Sequence, residues 1–245
     1  MELERSLAHY IKGTEDMKSM VEGKSGLKIP ECALHAWRNM FVAMRFVDYY
    51  IDNSNDLSSR SKLGQEVIGF LSSRDSFSLS LDPRCTAALA NLRDDIALLG
   101  EDKKKSFLSG VSLALKVGEK KKHAGNPREL TRLTRLEGQI TSRLFFHFLP
   151  DEFKKGNFPK WFRTLGRVGS LYDSLVDWED DYRKQETTIK PSLSNKALAI
   201  AQTRNDFWYL LRYSPLSLWK TPIKSATKFA KDRSSLKVSP HSPRQ

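Results

Sequence analysis

Leu165-Gly166-Arg167-Val168-Gly169-Ser170-Leu171-Tyr172-Asp173-Ser174-Leu175-Val176-Asp177-Trp178-Glu179-Asp180-Asp181-Tyr182-Arg183-Lys184 is the stretch on which the reading of this chain turns. On a helix of 3.6 residues per turn, Asp173, Asp177 and Asp181 stack a turn apart on one face, with Gly169 and Gly166 continuing that side toward the N-terminus. Like charges at i,i+4 repel, so three in a row destabilise a bare helix and call for something that offsets the repulsion. A divalent cation does so. Mg²⁺ keeps several waters and takes one or two carboxylates together with phosphate oxygens, so an aspartate-lined helix suits Mg²⁺, or Mn²⁺ in its place, carrying a diphosphate. The other reading is an acidic stripe facing water, balanced by Arg167, Arg183 and Lys184.

A second stretch repeats the pattern. Phe41-Val42-Ala43-Met44-Arg45-Phe46-Val47-Asp48-Tyr49-Tyr50-Ile51-Asp52 places Asp48 and Asp52 one turn apart in a strongly apolar helix whose buried face is marked by Phe41, Met44, Val47 and Ile51. Carboxylates beside a buried face need a partner. Two such helices, far apart in sequence, are able to face each other and hold metal ions between them.

The frame around these helices is uniformly helical. The spacing predicts helices over residues 1–23, 30–53, 63–71, 83–99, 103–117, 128–149, 161–183 and 197–213, and no stretch alternates as a strand does. Residues 53–60 read as a polar loop, 72–82 as a serine-rich connection, and Asp94 with Asp95 as surface charge. Lys120-Lys121-Lys122-His123 reads as a solvated basic loop, with a lid over a diphosphate as the alternative. His35 reads as a packed or surface histidine. Gly138, in the middle of a helix where glycine costs about 1 kcal/mol relative to alanine, implies close approach of another helix or of a ligand.

At 245 residues the chain has the length of one large domain. It carries no run of about 20 apolar residues to cross a membrane, and its opening has no secretory h-region, so the expected location is the cytoplasm. Cys32 and Cys85 lack metal-type spacing and read as free thiols. The net charge of +12 favours anionic partners. Much of that charge sits in residues 214–245, a basic segment read as separate from the domain at 1–213 and partly disordered. Leu216, Leu218, Trp219, Ile223 and Phe229 interleave with its lysines, which suits peripheral contact with an anionic membrane as well as it suits a final packed helix. No recognition motif for specific nucleic-acid binding is visible, and charge alone gives only non-specific affinity.

The two motifs, Asp48-Tyr49-Tyr50-Ile51-Asp52 and Asp177-Trp178-Glu179-Asp180-Asp181, resemble those of the class I isoprenoid synthases in the squalene and phytoene synthase branch. The first also resembles the first motif of bacterial large-terpene synthases, and the second with its Leu-Gly-Arg lead-in is similar to a bacterial family related to them. The resemblance implies an all-α, single-domain bundle around a central cavity. It also implies a Mg²⁺-dependent enzyme, a prenyltransferase or terpene synthase, that ionises an allylic prenyl diphosphate. Under it Asp48, Asp52, Asp173, Asp177 and Asp181 are the metal ligands, and Arg45, Arg183, Lys184, Arg132 and Arg135 the diphosphate-binding cations. Tyr49, Tyr172 and Phe145 line the cavity. Association of the enzyme with itself stays open. The alternative is a non-catalytic helical subunit, or a lipid- or nucleic-acid-binding module, that keeps the fold.

Overall fold

A computed structural model describes residues 2–52, 57–73, 81–184 and 186–214, and the side chains of 2–12, 52, 57 and 58 lie outside that description. Among the described residues every regular element is helical, as the 3.6-residue periodicity requires. The elements are α1 (Glu2–Ser25), α2 (Glu31–Asp52), α3 (Leu57–Ser72), α4 (Pro83–Ala97), α5 (Glu101–Lys122), α6 (Pro127–Phe146), a 3-10 turn at Asp151–Lys154, α7 (Phe158–Arg183) and α8 (Leu193–Tyr213). The expected 214–245 segment falls, beyond Ser214, outside the described residues.

Caps and prolines set the starts. The Asp82 carboxylate accepts from the Arg84 amide ahead of α4, Asn126 from the Glu129 amide ahead of α6, and Ser192 from the Asn195 amide ahead of α8. Pro83 and Pro127 occupy first-turn positions whose missing N–H has no helical partner to lose. At the other end of α1, Gly26 takes φ +72°, the left-handed conformation that stops a helix.

Boundaries differ most from the sequence reading at three places. α3 begins at Leu57 inside the expected polar loop, and α8 begins at Leu193 because Ser192, not a later residue, supplies the cap. More consequentially, α5 continues through Lys122, so the basic cluster is a helical last turn and not a loop. Cations there meet the carbonyl end of the helix dipole, which favours continuation.

The core forms around Trp37 of α2, which is fully buried. Its Nε1 donates to the Phe145 carbonyl at 2.9 Å. Its ring meets Phe145 edge-on at 5.5 Å and stacks on Phe162 of α7 at 6.1 Å. Phe41 packs on Phe145 at 4.5 Å. Phe145, expected to line a cavity, is therefore part of the packed aromatic centre that joins α2, α6 and α7. A smaller apolar cluster of Val117, Leu130, Leu133, Ile140, Leu171 and Trp178 closes the far end of α5, α6 and α7. Asp95, read as surface charge, turns into the α2–α4 seam, where Asn39 donates to it at 2.7 Å and burial pushes its carboxyl above the ordinary value.

α6 and α7 run antiparallel and touch backbone to backbone. A Cβ added to Gly138 would lie 2.2 Å from the Gly166 carbonyl oxygen, and one added to Gly166 would lie 2.3 Å from the Gly138 oxygen. Ser170 and Ser142 flank the contact, each small enough to let the helices approach. The close approach inferred at Gly138 is thus the approach of α7.

Beside this crossing, Asp206 of α8 accepts from two guanidiniums. Arg135 Nη2 lies 2.7 Å from one carboxylate oxygen, and Arg167 Nη2 lies 2.7 Å from the other. Burial works to raise this carboxyl, but the hydrogen bonds and charges of Arg167 and Arg135 outweigh it and hold the group below its ordinary value. The triad ties α8 to both helices of the glycine crossing.

Candidate carboxylate site between the two aspartate helices

The glycine contact fixes the rotation of α7. Gly166, Ser170, Asp173, Asp177 and Asp181 fall within about 80° of one another around the helix, so the side that meets α6 at the glycines becomes the aspartate stripe nearer the C-terminus. Asp173 and Asp177 are exposed and Asp181 is half-buried. The 186–192 loop is held to this end of α7 by Trp178, whose Nε1 donates to the Ile189 carbonyl at 2.8 Å, and by the Glu186 amide, which donates to the Asp181 carbonyl at 2.8 Å.

Lys121 links the stripe to the second aspartate helix. From the last turn of α5 its Nζ donates to Glu137 Oε2 of α6 at 2.6 Å. Burial lowers the ammonium's pKa, but Glu137 outweighs it, and Asp48 and Asp181 add to the pull, so the group stays above its ordinary value. One cation therefore lies in the field of Asp48 on α2 and Asp181 on α7 together. One aspartate of each motif therefore lies on the Lys121 side of the bundle. The Asp181 carboxyl itself is pushed up to about 6, first by burial and then by Glu186 and Asp177, while Lys121 and Lys184 pull the other way.

The remaining expected residues divide. Arg45 lies half-buried about one turn before Asp48 on α2, and Lys184 directly follows α7 within the field of Asp181. Arg183 is exposed and donates to Asp180 at 3.2 Å. Arg132 is exposed on α6. Arg135 points to Asp206 beside Arg167, which precedes Asp181 by about 21 Å of helix rise, so its guanidinium serves the α6–α7–α8 junction. Tyr49 and Tyr172 lie at the surface, each next in sequence to an aspartate and so about 100° round the helix from it. The Asp52 side chain is outside the described residues. Clefts of about 420 and 260 Å³ open elsewhere, beside Arg93 and Lys104 and beside Lys24 and Phe153, and neither is lined by a motif aspartate.

Set against models of protein families, curated proteins and solved structures, the chain matches none.

The donor set is chemically suited to Mg²⁺, because carboxylates are hard oxygen ligands. Among the described residues no three acidic, histidine or cysteine side chains converge closely enough to hold a metal by themselves. A Mg²⁺–diphosphate asks less of the protein, since phosphate oxygens and water complete the coordination. Glu137 is the residue that sequence reasoning missed here, and Lys121 was reached only as one of a basic cluster. Lys120 and Lys122 surround Lys121 with the same chemistry, and only the continuation of α5 decides which lysine turns inward.

The strain on Asp181 has a measurable sign. Its folded pKa of about 6 exceeds the ordinary 3.8, so between those values the folded state holds the proton more tightly and stability falls as pH rises. Above pH 6 the ionised carboxylate is a net cost. Asp181→Asn is expected to stabilise the metal-free protein by about 1–2 kcal/mol at pH 7.5, with melting curves that converge with wild type near pH 4. Equal melting temperatures at both pH values would remove the case for crowded carboxylates.

Proposed function

We propose that the chain is a Mg²⁺-dependent enzyme that binds a prenyl diphosphate between α2 and α7 and ionises its allylic C–O bond. The observation that supports this reading is that one aspartate of each motif, Asp48 and Asp181, acts on the same ammonium, that of Lys121. Asp48 and Asp52 from α2 would hold the metal together with Asp177 and Asp181 from α7, with Asp173 in support. Mg²⁺, when bound, neutralises the leaving diphosphate. Lys121, Arg45 and Lys184 supply further positive charge to the departing oxygens, which stabilises the charge that develops as the bond breaks. The bond electrons leave with the diphosphate, and the carbocation left behind is captured by a second prenyl chain or by a double bond of its own.

A second reading has its own support. The centre of the bundle is filled by Trp37, Phe41, Phe145 and Phe162, where a prenyl chain would need room, and this favours a non-catalytic helical module with the same fold. Thermal shift separates the two. With Mg²⁺ and farnesyl or geranylgeranyl thiodiphosphate, the enzyme reading expects a metal-dependent rise of several degrees, corresponding to about 1–3 kcal/mol of linkage, that Asp48→Ala with Asp177→Ala abolishes. A folded wild type with no shift at either chain length would leave the module.

A further inference from the structure

α8 turns its larger apolar side chains outward. Leu193 is 87 % exposed, Trp208 68 % and Ile200 59 %, whereas the inward side buries Ala199, Thr203, Asp206 and Leu210. A helix that closes a bundle ordinarily does the reverse, burying its large apolar residues and showing polar ones to water. At about 100° per residue, Leu193, Ala197, Ile200, Arg204, Trp208 and Leu211 form one stripe about 30 Å long. Large apolar side chains exposed along one helix face mark an interaction site.

The charge on this face selects the partner. Arg204 sits within the stripe and Arg212 on its flank, both exposed, while the sole carboxylate of α8, Asp206, is buried between Arg135 and Arg167. The sequence then runs from α8 into residues 215–245, where Lys220, Lys224, Lys228, Lys231, Arg233, Lys237 and Arg244 stand against Asp232 alone. We propose that the outward face of α8 docks on an anionic lipid membrane, with Trp208 and Ile200 entering the headgroup region and Arg204 and Arg212 meeting lipid phosphates. Tryptophan is suited to that boundary, being apolar in body with one N–H to leave in the wet layer. A second copy of the chain fits less well, because a two-fold contact through this stripe sets Arg204 near its own counterpart. The chain's own basic segment likewise sets like charge on like. An anionic surface accepts both the stripe and the segment that follows it. The inference is independent of the aspartate site.

Co-sedimentation of the full chain with vesicles tests it, using phosphatidylcholine alone and phosphatidylcholine mixed with phosphatidylserine. Wild type is expected to bind the mixed vesicles and to leave pure phosphatidylcholine largely unbound. Ile200→Ser with Trp208→Ser should weaken binding by about tenfold or more at an unchanged melting temperature, since both side chains are exposed in the folded protein. Arg204→Glu should weaken it as well and restore none of it at high salt. Undiminished binding by the double variant would assign the membrane contact to residues 215–245 alone and overturn the proposal. So would equal binding to both vesicle types, no binding to either, or a wild-type dimer that the double variant loses.

Discussion

Gly166→Ala is expected to lower Tm by about 4–8 °C, and Gly138→Ala by a similar amount. Each added methyl would meet a carbonyl oxygen of the facing helix at 2.2–2.3 Å, far inside van der Waals contact, and backbone cannot swing aside as a flexible side chain does. The helices must therefore separate, and overpacking of that kind costs about 1–3 kcal/mol or more. The better helix propensity of alanine returns about 1 kcal/mol, leaving a net loss of about 2 kcal/mol, which for a domain of this size is the stated shift. Gly169 supplies the internal control. It lies on the same helix with nothing within 4 Å of its would-be Cβ, so Gly169→Ala should be neutral or stabilising. The double variant should cost less than the sum, because once α6 and α7 have moved apart the second methyl finds room. Since the same contact fixes where Asp173, Asp177 and Asp181 point, Gly166→Ala should also reduce any Mg²⁺-dependent shift of the kind the proposed function expects, at temperatures where it remains folded. A melting temperature equal to that of Gly169→Ala would mean that the helices do not meet at these glycines.

Asp206→Ala has the other large effect, a loss of about 3 kcal/mol or more. Arg135 and Arg167 converge on this carboxylate from two helices, and Arg167 also donates to Gln139 Oε1 at 3.1 Å and to Thr164. Removing the acid leaves two half-buried guanidiniums facing each other without the charge between them, which is far more costly than losing a surface pair. Asp206→Asn keeps the shape and one acceptor, so it should fall between wild type and alanine. The acid limb of stability gives the matching sign. A carboxyl held below its ordinary 3.8 contributes stability that is complete above that value and lost as pH falls through the lower folded pKa. Wild type should therefore lose stability below about pH 4 more steeply than Asp206→Asn. Urea denaturation across that range checks both statements, and parallel acid limbs would show that the two arginines do not lower this carboxyl.

The helices that carry the two motifs were legible because their signals are local. Aspartates four apart in an apolar periodic background define α2 and α7 without reference to anything distant, although the start of α7 at Phe158 lies three residues before the expected one. Gly138 was legible for the same reason, as a residue that weakens its own helix and so needs an external cause. Arg135 was not. Its spacing with Arg128 and Arg132 looks like one basic stripe, yet Asp206 arrives from α8, and no local pattern announces an acid so far along the chain. Asp95 misled in the same way until Asn39 of the packed α2 supplied a donor.

Helical periodicity therefore determined by itself that this protein is an all-α bundle with two aspartate-striped helices. Only the tertiary structure decided which charges meet. A guanidinium or ammonium on a long flexible stem reaches whichever carboxylate the packing brings within a few ångströms, and that depends on helix rotation and crossing. At the α6–α7 contact both are set by backbone touching backbone, a property of two glycines together that neither reveals alone. That contact sets the rotation of α7 and so the side on which Asp173, Asp177 and Asp181 stand, while Lys121 reaches Glu137 because α5 continues to Lys122, and α8 is turned by the Asp206 pairs with Arg135 and Arg167.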